Sequence, residues 1–282
     1  MGKIGILIDS TVYLSEEMIK ENDIEVVSLN VVDGVDSYKE TEIDNDFVFK
    51  LQDEGSSLTT SQPAPGEFLE AYQRMFDKGY DKILCVLLSR NISGTFQSAT
   101  LAKNMLDDPS KVHLFDTRLC AYGTEMIGVE VVEMVNNNHT AEEIIGRIEK
   151  IIATSGQLLT VQNLFSLVKG GRLSIAKAAI GTVLRVKPII EVVNGKLELV
   201  KSERTYNKLH NYMMSKVKKQ LDGYKKVTFY ITNQNSLDSG LVLKELIEQE
   251  FPGSKITFTS YLGPVFSIHV GKKGYGISFF VE

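Results

Sequence analysis

The sequence predicts an α/β protein with two domains: a Rossmann-like N-terminal domain with a mainly parallel sheet and flanking helices, and a C-terminal α+β domain with a mainly antiparallel sheet. Short apolar runs alternate with amphipathic helical patterns through the first half, which is typical of a doubly wound parallel sheet. After about Ser155 the pattern changes and hairpin signals appear. A length of 282 residues suits two cores, so we expect domains at 1–155 and 156–282.

The elements of the first half begin with a buried strand over Ile4–Ile8, which ends at Asp9. Ser15 is a predicted helix N-cap, and Val26–Val32 is a second predicted strand. The later elements are, in order, a helix over Gly66–Lys78, a strand over Ile83–Leu88, a helix over about Thr95–Leu106, a strand over Val112–Phe115 and a helix opened by the capping box that starts at Thr140.

The second half is predicted to contain hairpins with intervening helices. Asn194-Gly195 is a two-residue hairpin signal between the predicted strands Pro188–Val193 and Lys196–Val200. Apolar residues at helical spacing from Tyr206 to Leu221 and over Leu237–Phe251 predict two helices. The further predicted strands are Lys226–Thr232, Lys255–Tyr261, Phe266–Val270 and Gly276–Val281.

Charge and cysteine content narrow the class of protein. The formal net charge of −5 argues against a nucleic-acid surface, which normally has a basic surplus. Cys85 and Cys120 form no metal or redox spacing, and a reduced compartment fits them. The apolar run before Asp9 is too short for a signal peptide, and no uncharged apolar stretch is long enough to span a bilayer. We therefore expect a cytoplasmic protein.

Three polar segments follow strand ends or interrupt the helix–strand pattern: Asp9-Ser10-Thr11, Thr59–Pro65 with Thr60 and Ser61, and Ser89–Thr95 with Ser93, Gly94 and Thr95. In open parallel sheets, ligands bind beyond the carboxyl ends of the strands. A helix start such as Ser-Gly-Thr also favours an anionic group. The alternative is that these residues only cap helices. The segments favour a shared site for the polar head of a small ligand over capping alone.

Other candidate residues have simpler alternatives. His269 falls in a predicted strand, where a lone histidine is more often structural than functional. The segment Lys169–Arg172 could be a helix stop with a basic end. Phosphate-loop, dinucleotide-binding and zinc-binding motifs do not occur, so we expect neither a metal nor a cofactor.

Taken in order, these segments resemble the DegV family, the fatty-acid-binding subunits of bacterial fatty acid kinase. Any one segment is a weak match, whereas the ordered set, which runs nearly the length of the chain, is specific. The matching pieces are Asp9-Ser10-Thr11, Thr60-Ser61-Gln62-Pro63, Ser93–Ser98, Gly170-Gly171-Arg172, Lys187-Pro188, and Gly263-Pro264 followed by His269.

The resemblance implies a protein that binds lipid and is not itself an enzyme. One long-chain fatty acid would lie between two domains, with its acyl tail in an apolar tunnel formed mostly by residues 156–282. Thr60, Ser61, Ser93 and His269 match family residues near the carboxylate. A separate ATP-dependent kinase subunit would phosphorylate that carboxylate to an acyl phosphate for phospholipid synthesis.

The same resemblance implies supporting roles for two arginines. Arg172 matches the family's buried arginine, and Arg204 resembles an arginine implicated in handing the head group to the kinase. The chain departs from the family pattern at two places. Ala64 stands where the family usually has serine, and Val270-Gly271-Lys272-Lys273-Gly274 replaces a Gly-Pro-Gly run after the histidine, which makes that rim more basic.

An alternative hypothesis is a serine hydrolase acting on lipid or small esters. Ser93, Asp116 and His269 occur in the chain order found in α/β-hydrolases. The residues before Ser93 lack the glycine of a nucleophile elbow. The sequence therefore favours the lipid carrier over the hydrolase.

Overall fold

The computed structural model describes residues 2–162, 164–173, 186–224, 226–259 and 261–282. These residues form two compact units. The first contains the described residues up to Ala153 together with Gly263–Val265, and the second contains those of Thr154–Leu262 and Phe266–Glu282. The predicted fold class is confirmed, because the first unit contains a parallel sheet and the second a mainly antiparallel one.

The main sheet of the first unit has four strands, and all neighbouring strands run parallel. In spatial order they are Glu25–Val27 (β2), Ile4–Asp9 (β1), Lys82–Leu87 (β6) and Val112–Asp116 (β7). Side chains of β1 and β6 pack with Phe68 and Tyr72 in one buried apolar cluster. The helices of this unit are Glu16–Glu21 (α1), Asn45–Asp53 (α2), Pro65–Asp77 (α3), Thr95–Lys103 (α4), Tyr122–Asn136 (α5) and Ala141–Thr154 (α6).

A small antiparallel sheet also lies in the first unit and corrects two predictions. Its strands, in spatial order, are Asp36–Lys39 (β4), Asn30–Asp33 (β3) and Thr59–Ser61 (β5). The single strand predicted over Val26–Val32 is wrong, because the chain leaves the main sheet after Val27 and the N–H of Leu29 bonds to the hydroxyl of Ser10. The start of the predicted polar segment Thr59–Pro65 is a strand, with Thr60 opposite Val31.

The described residues of the second unit form a six-stranded sheet. In spatial order its strands are Lys196–Glu203 (β10), Lys187–Val193 (β9), Gly156–Val161 (β8), Gly274–Val281 (β13), Val227–Gln234 (β11) and Lys255–Thr259 (β12). Neighbouring strands are antiparallel except β11 and β12. The helices described in this unit are Leu164–Lys169 (α7), Tyr206–Gln220 (α8), Leu237–Glu250 (α9) and Pro264–Val270 (α10).

The strand predicted over Phe266–Val270 is wrong, because these residues form α10. Apolar and polar residues alternate along Phe266–Val270, which is the period-two pattern of a half-buried strand. Pro264 stands at the first helical position, where its fixed φ favours a helix. His269 therefore lies on a helix.

Several local predictions are confirmed. The Ser15 hydroxyl accepts a hydrogen bond from the N–H of Met18, and Thr140 and Glu143 form a reciprocal capping box. The Asn194-Gly195 hairpin joins β9 to β10, with both residues at positive φ. Among the helices in the described ranges, none is both long and apolar enough to cross a bilayer.

Candidate functional site

The turn after β1 is held by the buried carboxylate of Asp9. Its Oδ1 accepts hydrogen bonds from the N–H and the hydroxyl of Thr11, at 2.9 and 2.5 Å, and its Oδ2 accepts one from the N–H of Leu88 at 2.8 Å. Burial raises the pKa of Asp9 to about 6, although these hydrogen bonds favour the charged form. Asp9 thereby ties the carboxyl end of β1 to that of β6.

A second buried carboxylate, Glu40, collects donors from three parts of the first unit. Its Oε2 accepts from the Ser10 hydroxyl at 2.5 Å, and its Oε1 accepts from the Tyr13 hydroxyl and the N–H of Val265, both at 3.0 Å. Burial raises the pKa of Glu40 to about 7, and the charge of Asp9 adds to this shift. Sequence reasoning missed Glu40 because Val265 is 225 residues away.

The segment between β6 and α4 carries Ser93 and Thr95. Their hydroxyl oxygens are 2.9 Å apart, and the Ser93 Oγ also accepts a hydrogen bond from the N–H of Thr95 at 3.3 Å. Gly94 is the N-cap of α4 and provides no capping side chain, and the first turn of α4 has no acidic residue. A helix N-terminus of this kind favours an anionic group.

Thr60 and Ser61 lie on β5 in the same unit. Their segment meets the Ser93 segment at Gly94, where an added Cβ would be 2.9 Å from the Cδ and Nε2 atoms of Gln62. A side chain larger than hydrogen at position 94 would therefore displace Gln62. Because neighbouring side chains on a strand point to opposite faces, the hydroxyls of Thr60 and Ser61 are not equivalent.

In the second unit, His269 packs directly on Gly170. An added Cβ at Gly170 would be 3.0 Å from His269 Nδ1. Burial lowers the pKa of His269 to about 4, and the positive charge of Arg172 lowers it further, so the imidazole is neutral at physiological pH. Arg172 is half-buried, and its Nη1 donates to the carbonyl of Gly170 at 2.6 Å. The structure thus groups Gly170, Arg172 and His269.

Arg204, the arginine that the family resemblance singled out, is exposed between β10 and α8. No ion pair in the described ranges includes it.

Asp116, at the end of β7, binds Arg90. Its Oδ2 accepts a hydrogen bond from Arg90 Nε at 2.6 Å, and its Oδ1 accepts one from the N–H of Arg90 at 3.1 Å. The carboxylate needed by the hydrolase hypothesis is therefore engaged by an arginine.

Comparison with known proteins gives one family along nearly the whole chain. The family described as "Uncharacterised protein, DegV family" matches residues 3–282. A DegV domain-containing protein of Listeria monocytogenes is 31% identical over 283 residues, which are 99% of each chain. A DegV domain-containing protein of Staphylococcus aureus is 31% identical over 280 residues, covering 98% of this chain and 97% of that protein.

Solved structures share the fold over the same length. A DegV family protein from Thermus thermophilus, described by its fatty acid binding, superposes with a TM-score of 0.90 at 26% identity, covering 99% of this chain and 100% of that chain. DegV from Bacillus subtilis, described as a fatty acid binding protein, gives a TM-score of 0.84 at 27% identity and covers both chains completely.

Proposed function

This chain belongs to the DegV family, and from that premise we propose that it binds a long-chain fatty acid. The observation that carries the proposal is the likeness, over the whole chain, to two fatty-acid-binding DegV proteins of known structure. The fatty acid carboxylate would bind the hydroxyl-rich segments of the first unit, with Ser93 as its main partner.

The chemistry of the first unit supports this proposal. A carboxylate taken from water needs hydrogen-bond donors. The hydroxyls of Ser93 and Thr95 and the start of α4, where Gly94 provides no capping side chain, offer such donors, and the first turn of α4 has no acidic residue. A tail of about 14 methylenes contributes about 11 kcal/mol on burial, and the cost of association, about 4–15 kcal/mol, consumes much of this gain. The participation of His269 and Arg172 stays a prediction from the family resemblance.

Replacing Ser93 by alanine in delipidated protein is expected to weaken the binding of a long-chain fatty acid by about 1 kcal/mol, because one hydroxyl donor to the carboxylate is lost. Thr60→Ala and Ser61→Ala should differ from each other, since their hydroxyls point to opposite faces of β5. Isothermal titration with the same acid measures all three variants.

Ser37→Ala is the matched control, because Ser37 is exposed on β4, and its affinity should equal that of the parent protein. Unchanged affinity in the variants at Ser93, Thr60 and Ser61 would move the carboxylate away from these segments. Absence of fatty acid from denaturing extracts of several preparations, together with no binding by the delipidated protein, would contradict the proposed function itself.

The proposed role in the cell is to present the bound carboxylate to a separate ATP-dependent kinase subunit, which forms an acyl phosphate for phospholipid synthesis. On this proposal the chain carries lipid and does not catalyse a reaction, and its cytoplasmic location stays a prediction. Arg204 supports such a handover, because an exposed guanidinium outside any ion pair in the described ranges suits a phosphate or an acidic surface.

Arg204→Ala is expected to leave fatty acid affinity unchanged and to slow phosphorylation of the bound acid by about tenfold, the effect of losing one charge-assisted contact. The measurement is acyl phosphate formation with ATP and a purified fatty acid kinase subunit. Lys196→Ala removes an exposed charge elsewhere in the second unit and should phosphorylate normally. A normal rate in Arg204→Ala would remove this role while leaving fatty acid binding intact.

A further inference from the structure

The second unit contains a polar pocket of about 280 Å³ at one edge of its sheet. It lies where β8 ends at Thr160 and Val161 and where β13 begins at Gly274 and Tyr275. The first residue of α8, Tyr206, completes one wall. These elements are distant in sequence from Ser93 and Thr60, and none of those hydroxyls lines the pocket.

The charged side chains among the described lining residues of this pocket have the same sign. They are Lys187 and Lys273, and no aspartate or glutamate of the described ranges lines the pocket. Glu203 is opposite Lys187 in the β9–β10 ladder, yet no ion pair between them occurs in the described part of the chain. The Nζ of Lys187 instead lies 3.8 Å above the ring of Tyr206. Two ammonium groups therefore border the same small volume, and no carboxylate in the described part of the chain lines it.

Neutral hydrogen-bonding groups occupy much of the remaining wall. Thr160, Ser236 and Gln162 contribute hydroxyl and amide groups. The hydroxyl of Tyr275 is held 2.9 Å from Nε2 of the buried His210. Tyr206 is also the first residue of a helix of 15 residues whose first turn carries no acidic side chain, so the positive end of its dipole faces this region.

We propose that this pocket binds a small phosphate-bearing anion. A phosphate monoester carries about −1.5 to −2 charges at pH 7, and two lysines balance that charge. A carboxylate carries a single charge and would need only one lysine. The several oxygens of one phosphate group can also accept hydrogen bonds from donors on different walls of the pocket. The volume is just below the range of about 300–1,000 Å³ that holds drug-sized ligands, so the ligand is inorganic phosphate or a phosphate ester with a short organic part.

Lys273 is one of two adjacent lysines, Lys272 and Lys273, that follow α10. Of the two lysines, only Lys273 lines the pocket. The pair therefore provides a test in which the same charge is removed from neighbouring positions, one inside the proposed site and one outside it.

The test is titration of the full chain with inorganic phosphate and with phenyl phosphate at fixed ionic strength, followed by calorimetry or NMR. Saturable binding is expected for at least one of the two. Tighter binding of phenyl phosphate indicates an ester as the ligand, whereas equal binding indicates the phosphate group alone. Phenol, which lacks the anion, should not bind.

Lys187→Gln and Lys273→Gln are each expected to weaken this binding about tenfold, as expected when one charged hydrogen bond is lost, whereas Lys272→Gln should bind as the parent does. All three variants should keep the parent's thermal stability and fatty acid affinity. No saturable phosphate binding would overturn the proposal. Binding that survives both pocket substitutions, or that falls equally in Lys272→Gln, would also overturn it.

Discussion

Replacing Gly263 by alanine is expected to lower the free energy of unfolding by about 3 kcal/mol, the upper part of the range for overpacking a buried site. A Cβ at this position would overlap Cε1 of Tyr13 and would lie 2.6 Å from Oε1 of Glu40 and 2.9 Å from Cζ of Tyr13. The same Oε1 accepts the hydrogen bonds of Tyr13 and Val265. The added methyl group therefore both clashes and disturbs a buried hydrogen-bond network.

Urea denaturation followed by circular dichroism measures this loss. Gly146→Ala is the matched control, because Gly146 lies within α6 with open space around it, and alanine there should stabilise the protein by about 0.5–1 kcal/mol. Tyr13→Ala removes the ring that the new methyl group meets, so the two substitutions should couple by about 1 kcal/mol or more. A Gly263→Ala protein as stable as its parent would contradict the steric explanation.

The parallel sheet was predictable because the residues of its central strands have an unambiguous strand pattern. β1 and β6 are continuous apolar runs of strand length that end in polar turns, and buried parallel strands have this pattern. The β9–β10 hairpin was equally predictable, because Asn194-Gly195 tolerates the positive φ angles that a two-residue turn needs. In both cases the information lies within a few neighbouring residues.

The errors arose where tertiary partners decide local structure. Apolar and polar residues alternate along Phe266–Val270 as they do in a strand, yet its backbone is helical. Val26–Val32 divides between two sheets because the N–H of Leu29 donates a hydrogen bond to the hydroxyl of Ser10, 19 residues away. Propensity within the segment contains no information about such a partner.

The candidate site shows the same limit. The polar segments at Asp9, Ser93 and Thr60 were predictable from their positions after strands or before helices, although the roles of these residues in binding stay predictions. Glu40 was not predictable, since its donors come from Ser10, Tyr13 and Val265. The lysine-lined pocket was not predictable either, because its walls come from strands and helices between Thr160 and Tyr275.

The free energy of unfolding is expected to fall by about 1–2 kcal/mol as the pH rises from about 6.5 to about 8. Burial raises the pKa of Glu40 to about 7 and that of Glu125 to about 8. The folded protein therefore keeps protons that the unfolded chain has released, so each rise in pH through this window favours unfolding. Within the described ranges, Oε2 of Glu125 is buried without a hydrogen-bond partner.

The buried histidines oppose this effect, and they oppose it most strongly at the acidic end of the window. Burial lowers the pKa values of His113, His210 and His269. Below about pH 6.5 they bind fewer protons in the folded protein and raise its stability as the pH rises. That trend opposes the contributions of Asp9, Glu40 and Glu125 over the same range. Above pH 6.5 the histidines of the unfolded chain, whose ordinary pKa is about 6.5, lose their remaining protons, so their opposing contribution fades and the two glutamates dominate.

Glu125→Gln should remove the larger part of the decline between pH 6.5 and 8, and Glu40→Gln a smaller part, because neither glutamine ionises. Glu142→Gln, at an exposed position in the first turn of α6, should retain the parent's slope. The measurement is urea denaturation of all four proteins at pH 6.5, 7.25 and 8. If the slope is the same in all four, buried glutamates do not set the pH dependence of folding, and Glu40 and Glu125 must ionise in the native protein as they do in water.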